Sequence, residues 1–402
     1  MIDQSKKITI ALAFTIALFG CNAKQGTELS VEKNLNFSVS QTEFMLEKAL
    51  SAQKNPRTIE NDHLRWTNKG FDWTEGFFPG TCWYLYEYTG DEKWKTGADS
   101  LQGLFENHRF LPRYHDLGFV FNCSYGNGLR LTGEEAYKDI LIEAAETLSN
   151  RFNPNVGSII SWNVDKGWQS KRGWEFPVII DNMMNLELLF EASKLSGDSK
   201  YKEVAIAHAN TTLKNHFRED MSSYHVIDYD SITGKVRNKH TAQGYSHESS
   251  WARGQAWGLY GFTMCYRYTK NPEYLKAASK IADFIINNKK IPEDRIPYWD
   301  YDAPKIPDEP RDASAAATTA SALIELSQYD NEGKKKYLKE AKAILKSLSS
   351  PAYQAVKGEN HHFILKHSVG SIPHNNEIDV PLNYADYYYV EALLRLKETT
   401  SE

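Results

Sequence analysis

The chain has 402 residues, with 47 Lys plus Arg against 52 Asp plus Glu, for a net charge of −5. That balance excludes the broad basic surface of a nucleic-acid binder, and a mean hydropathy of −0.56 excludes a membrane bundle. The unusual figure is the aromatic share, 13%, from 10 Trp, 23 Tyr and 18 Phe. Aromatics fill large cores, and their flat faces also stack on sugar rings.

The first 20 residues read as a secretion signal. Lys6 and Lys7 precede an apolar run from Ile8 to Phe19, too short for a comfortable membrane span. The run ends in Leu18-Phe19-Gly20-Cys21, which resembles a bacterial lipoprotein signal with Cys21 as the lipidated residue. No acidic run follows Cys21, so the expected location is periplasmic, with a lipid anchor as the only membrane contact. Residues 21–38 read as a flexible leader and 39–400 as a single domain. Cys82, Cys123 and Cys265 remain, at wide spacings and without a CxxC pair. They read as buried apolar residues rather than a disulfide framework or a zinc site.

Helical signals then recur. The expected helices cover 41–53, 75–88, 92–106, 117–131, 134–151, 181–195, 198–216, 251–268, 272–288, 312–328, 333–349 and 380–397. Between many of them a turn signature repeats: Thr89-Gly90-Asp91 before Trp94, Thr132-Gly133-Glu134 before Tyr137, Ser196-Gly197-Asp198 before Tyr201. Weaker copies run Thr269-Lys270-Asn271 to Tyr274 and Tyr329-Asp330 to Tyr337. Gly closes one helix because it enters the left-handed region cheaply, and the acidic residue opens the next at its positive end. Strand-like alternation is confined to short pieces near 158–162 and 224–229. Helical hairpins repeated without a linker predict an all-α fold, and six pairs close as an (α/α)6 barrel. Long loops between hairpins carry Trp66, Trp73, Trp162, Trp168, Trp174, Trp299 and Tyr245. Loops are a poor place for core aromatics and a natural place for a ligand cleft.

Other motifs carry little. Gly126-Asn127-Gly128 lacks the third glycine of a dinucleotide loop, because Leu131 stands there. His361, His362, His367 and His374 cluster in sequence, but no carboxylate or thiolate shares a tight spacing with them. Neither HExxH nor GxSxG is present. No metal and no cofactor is expected.

The chemistry concentrates in three segments. Asp181 follows the apolar run Val178-Ile179-Ile180 and opens a helix, either as a plain cap or as a catalytic acid in an apolar cavity. Asp116, in His115-Asp116-Leu117-Gly118-Phe119, stands at another loop-to-helix start. In the third segment, Gln243 to Trp257, Arg253 lies between Trp251 and Trp257. Such an arginine either grips a carboxylate between two indoles or sits in a core.

These segments, with Trp73-Thr74-Glu75-Gly76-Phe77-Phe78-Pro79-Gly80, Asp312 to Ala317 and Tyr384 to Tyr389, resemble glycoside hydrolase family 88, the unsaturated glucuronyl hydrolases. The resemblance runs from about residue 60 to 397. It implies an (α/α)6 barrel and removal of a 4,5-unsaturated uronic acid from the non-reducing end of lyase products. The implied substrates are unsaturated glycosaminoglycan disaccharides and oligosaccharides, from heparin or heparan sulfate, chondroitin and hyaluronan. It further implies that Asp181 is the general acid and base and Asp116 the second carboxylate. His225, Gln243, Trp251, Arg253 and Trp257 would bind substrate, with Arg253 on the uronate, and Ser368 and Ser371 would lie near the second sugar. Ala313 stands where the family pattern leads one to expect Ser. The rival readings are an unsaturated rhamnogalacturonyl hydrolase, a sugar-binding lipoprotein without catalysis, and a sugar epimerase, which would use paired His rather than paired Asp.

Overall fold

The computed structural model describes residues 29–401; the expected signal and Cys21 lie outside them. Twelve α-helices occur among the described residues: α1 (Val31–Ala52), α2 (Phe77–Thr89), α3 (Glu92–Gln102), α4 (Asn127–Thr132), α5 (Glu135–Ser149), α6 (Asn182–Ser196), α7 (Ser199–Asn215), α8 (Ala252–Thr269), α9 (Pro272–Asn287), α10 (Ala313–Leu326), α11 (Lys334–Leu348) and α12 (Asn383–Ser401). A π-helical segment, Gly118–Gly126, runs directly into α4. The even-numbered helices pack side by side in a ring, and α12 returns to α2 to close it. Each carries an odd-numbered partner outside it, with α1 backing α12, so the fold is an (α/α)6 barrel.

Burial separates the two rings. Helix α10 is buried along its whole length, and its alanines let neighbouring inner helices approach. Outer α9 buries only Tyr274, Ala277, Ala278, Ile281, Ala282 and Ile285, the single face that 3.6-residue periodicity provides. The axis is filled by aromatic rings in contact: Phe77, Phe119, Trp257, Tyr384 and Tyr388. Much of the aromatic content therefore serves the core. The three cysteines are buried and free.

The repeated turn does what its residues dictate. Gly90, Gly133 and Gly197 close α2, α4 and α6 with φ of 67°, 69° and 74°. Asp91, Glu134, Asp198 and Asn271 then accept backbone N–H groups and cap α3, α5, α7 and α9. The aromatic that follows ties neighbouring outer helices together. The hydroxyls of Tyr137, Tyr201 and Tyr274 donate to Asp99, Glu146 and Asn210, each on the preceding outer helix. Tyr337 donates to Asp330, which also accepts from Ser279 on α9.

These short turns all lie at the C-terminal ends of inner helices, so the long connections gather at the opposite end. They hold the strands: β1 (Pro56–Glu60) with β2 (His63–Trp66), β3 (Phe152–Asn153) with β4 (Ser158–Ile159), β5 (Phe176–Ile179) with β6 (Val226–Tyr229) and β7 (Val236–His240), and β8 (Ser368–Ser371) with β9 (Asn376–Val380). The strand-like pieces expected near 158 and 226 are β4 and β6; the other strands were not expected. The leader is shorter than expected, because Ser30 caps α1 and helix starts at Val31 instead of 41. Within the supposed leader, Asn34, Leu35 and Ser38 are buried.

Candidate active site

The N-terminal ends of the inner helices converge beneath the long loops. Asp181 occupies the junction of β5 and α6. The register of β5 on β6 sets Ile179 opposite Val226, and the Ile180 N–H donates to the His225 carbonyl at 3.0 Å. That pairing brings His225 beside Asp181, with Nε2 3.6 Å from Oδ2. His225 Nδ1 accepts the backbone N–H groups of Ala242 and Gln243, at 3.1 Å each. A ring nitrogen that accepts carries no proton, so the proton of the neutral imidazole is on Nε2, facing Asp181. Burial, with Arg253 nearby, keeps the His225 pKa well below its usual value.

Geometry removes the plain-cap reading. Asp181 makes no side-chain cap bond to α6. It is 9% exposed, and its Oδ2 is a buried atom without a hydrogen-bond partner in the protein. His225 Nε2 and Ser368 Oγ are in the same condition. Buried polar groups are normally paired, so such a concentration points to a site built for a ligand. Burial pushes the Asp181 carboxyl up to about 7, against the pull of Arg253.

Asp116 approaches from the segment just before the π-helical turn. A side chain at Gly118 would meet the Asn185 Cα at 2.3 Å, so only glycine lets this segment touch α6. The Phe119 N–H donates to Asn185 Oδ1 at 3.0 Å and completes the clamp. Burial, and next the charge of Asp181, push Asp116 up to about 8, while Arg151 opposes them. The cleft above Asp116 encloses about 530 Å³ and is lined by Arg57, Asp72, Trp73, Tyr114 and Trp162, among others. Trp162 stacks on Trp174 at 5.7 Å, and Trp168 meets both edge-on. The Trp162 ring also faces His115 and His225, so one indole spans the region between the two carboxyls' neighbours. Of the loop tryptophans, Trp73 and Trp162 line the cleft and Trp168 and Trp174 pack against Trp162, whereas Trp66 packs on the core and Trp299 bonds Glu309.

Arg253 needs correction. It is 1% exposed and its fork is already engaged: Nη1 donates to Asp312 Oδ2 at 3.0 Å and to the Val369 carbonyl, Nη2 to the Gly370 carbonyl at 2.6 Å. Asp312 meanwhile caps α10 through Ser314 and Ala315. Arg253 therefore ties α8, α10 and strand β8 together and lends its charge to Asp181, rather than offering an open fork. Nor do Trp251 and Trp257 bracket an open ring. Trp257 is in the core, and Trp251 is buried against His225 and the Arg253 guanidinium.

The remaining expected positions do converge here. Gln243 Nε2 donates to the Gly370 carbonyl at 3.2 Å, Ser368 is buried, and Ser371 Oγ pairs with His374 Nδ1 at 2.7 Å. The four clustered histidines separate. His361 lies by Asp62, His362 stacks on Phe44, His367 pairs with Asp379 and His374 with Ser371. Among the described residues no three His, Cys, Asp or Glu converge as metal ligands. Sequence reasoning assigned no role to His115 or Asn182, which lie beside Asp116 and Asp181 in the chain and touch each other in space.

Comparison with known proteins gives the family. The profile of Glycosyl Hydrolase Family 88 matches residues 46–395. An unsaturated glucuronyl hydrolase of Formosa agariphila is 45% identical over 96% of this chain and 97% of its own. An unsaturated chondroitin disaccharide hydrolase of Streptococcus agalactiae is 32% identical over 93% of each chain. The crystal structure of an unsaturated glucuronyl hydrolase specific for heparin superposes with a TM-score of 0.87 at 48% identity, covering 92% of this chain and 98% of that one. The motifs, the closed ring of hairpins and the paired aspartates all lead to one assignment: this chain belongs to glycoside hydrolase family 88.

Proposed function

We propose that the protein hydrolyses the 4,5-unsaturated uronic acid from the non-reducing end of lyase-generated glycosaminoglycan fragments. The observation that carries the reading is Asp181: a buried, uncapped carboxyl poised near neutral pH beside the Nε2–H of His225. A carboxyl tuned to the working pH can both give and take a proton. Asp181 protonates C4 of the vinyl ether, and positive charge develops at C5 and the ring oxygen. The resulting carboxylate then takes a proton from water as its oxygen adds to C5, which restores the acid. The C5 hemiketal opens to a ketone, and C1, now a hemiacetal, expels the second sugar.

The anionic substrate is accommodated locally. Inner-helix N-termini carry partial positive charge towards the cleft. Arg253 adds a buried cation, and Arg172 lies over Trp168 and Trp174 at the wall. Relatives support the substrate class: a Streptococcus agalactiae homologue has been crystallised with dGlcA-GalNAc6S. The test follows the ultraviolet absorbance of the double bond in heparin, chondroitin and pectin lyase products. Wild type should erase the signal of the glycosaminoglycan products, and Asp181→Asn should be slower by about 10²–10⁴-fold. An unchanged signal with wild type, or full activity in Asp181→Asn, refutes the reading; a preference for pectin fragments would move it to the rhamnogalacturonyl class. Cys21 is proposed as a lipid anchor on the periplasmic side; Cys21→Ser should release the protein from the membrane fraction.

A further inference from the structure

Asp116 lies beside a hydrogen-bonded pair, His115 and Asn182, whose polarity can be read atom by atom. The Asn182 amide Nδ2 donates to the Ile159 carbonyl at 2.9 Å, which fixes the amide so that Oδ1 faces His115 Nδ1. The partner of an amide oxygen must donate, so His115 carries its proton on Nδ1. A neutral ring then has a bare lone pair on Nε2, and this atom lies 3.3 Å from Asp116 Oδ1. Two lone pairs cannot face each other at that distance without repulsion. One proton between them removes the conflict.

The alternative is a His115 imidazolium paired with an Asp116 carboxylate. The surroundings oppose it. His115 is buried, and its neighbour Arg151 is already a cation. That guanidinium meets no carboxylate: it donates to the carbonyls of Pro112, Ile160 and Ser161. Burial and Arg151 accordingly lower the His115 pKa to about 3. The charged groups facing Asp116 are Asp181 from the β5–α6 junction, Asp72 from the loop before α2 and Arg151 from the loop after α5. The two aspartates favour a neutral Asp116 and Arg151 opposes it.

We propose that His115 and Asn182 are positioning residues that hold Asp116 in its neutral acid form. The catalytic cavity then presents one titrating carboxyl, Asp181, to a substrate that brings its own carboxylate, and Asp116 contributes a neutral carboxyl. The proposal rests on the hydrolase reading for its purpose but not for its test, whose first readout needs no substrate.

The infrared difference spectrum between wild type and Asp116→Asn at pH 6 should contain a carboxylic-acid C=O stretch belonging to Asp116. A spectrum containing only a carboxylate stretch means the ion pair exists and overturns the proposal. Asn182→Leu removes the acceptor on Nδ1, frees the His115 proton to move to Nε2, and so favours the Asp116 carboxylate. In that variant the acid stretch should be lost at pH 6. The alkaline limb of kcat/KM, set by Asp181, should move to higher pH by about one unit, because a carboxylate at Asp116 resists the ionisation of Asp181, with KM rising more than kcat falls. Retention of both the acid stretch and the pH profile in a folded Asn182→Leu refutes the role of the pair. Should that variant not fold, the wild-type spectrum alone decides the protonation state. Absence of any double-bond hydrolysis would refute the hydrolase reading and leave the spectral result standing.

Discussion

A single carboxyl shows how function and stability conflict at this site. Asp181 must be protonated to attack C4, so turnover should fall as pH rises through about 7. The same shift has a thermodynamic consequence. The folded state holds this proton more tightly than the unfolded chain, whose Asp titrates near the ordinary value of 3.8. The stability linked to that proton is complete below the unfolded value and is lost as pH rises to the folded one. Asp181→Asn removes the titration. At pH 8 the variant should be inactive yet more stable than wild type, by about 2–4 kcal/mol. Thermal melts of both proteins at pH 4.5 and pH 8 check this: the stability gap should open only at the higher pH. A constant gap would mean that Asp181 ionises freely in the folded protein. The sequence placed Asp181 and Asp116 at loop-to-helix starts, as the structure does, and geometry alone could remove the plain-cap reading of Asp181. The tautomers of His115 and His225 were beyond reach, because each is set by partners far along the chain, Asn182 for one and Ala242 for the other.

At the scale of elements, the site depends on close approach between segments that are distant in sequence. Gly118 permits the Asp116 segment to touch α6. Gly118→Ala should cost about 1–3 kcal/mol, the usual price of overpacking, and displace Asp116. The expected signature is a lower melting temperature together with a loss in kcat; normal kcat would show that the clamp does not position Asp116. Asp312 holds Arg253 across α8 and α10, and Arg253 holds strand β8. Asp312→Ala leaves a buried guanidinium without its carboxylate, which should cost about 3–5 kcal/mol. Denaturant melts should show that loss, with a raised KM as the strand carrying Ser368 and Ser371 loosens. The sequence displayed Arg253 between two indoles, but its partner is 59 residues away and stood only at the start of an expected helix, with no role assigned. The early start of α1 was hidden for a related reason. Its buried face is partly polar: Asn34 accepts from Gln354, and Ser38 donates to the Asn34 carbonyl. A polar buried face looks like a solvent-exposed leader until those partners are seen.

For the whole molecule, the repeated turn signature explains why the barrel could be read from sequence and most of the strands could not. Each turn is local: a left-handed closing residue, a capping side chain and an aromatic within a few positions. The strands are two to five residues long and pair across loops, so no local period announces them. The same turns make a prediction about the ring. Tyr137, Tyr201, Tyr274 and Tyr337 form a belt of hydroxyl bonds linking α3, α5, α7, α9 and α11. The belt lies at the C-terminal ends of the inner helices, away from Asp116 and Asp181 at their N-terminal ends. Replacing one Tyr by Phe keeps the buried ring and removes about 1 kcal/mol of hydrogen bonding. The four turns share no partner, so the losses should add, to about 4 kcal/mol in the quadruple variant. Because the ring's inner wall is untouched, kcat and KM at 25 °C should equal those of wild type. Denaturant melts and double-bond hydrolysis on the single and quadruple variants measure both quantities. A catalytic loss in step with the stability loss would mean that the outer belt sets the geometry of the cleft; stability loss alone means that one end of the barrel closes the ring and the other performs the chemistry.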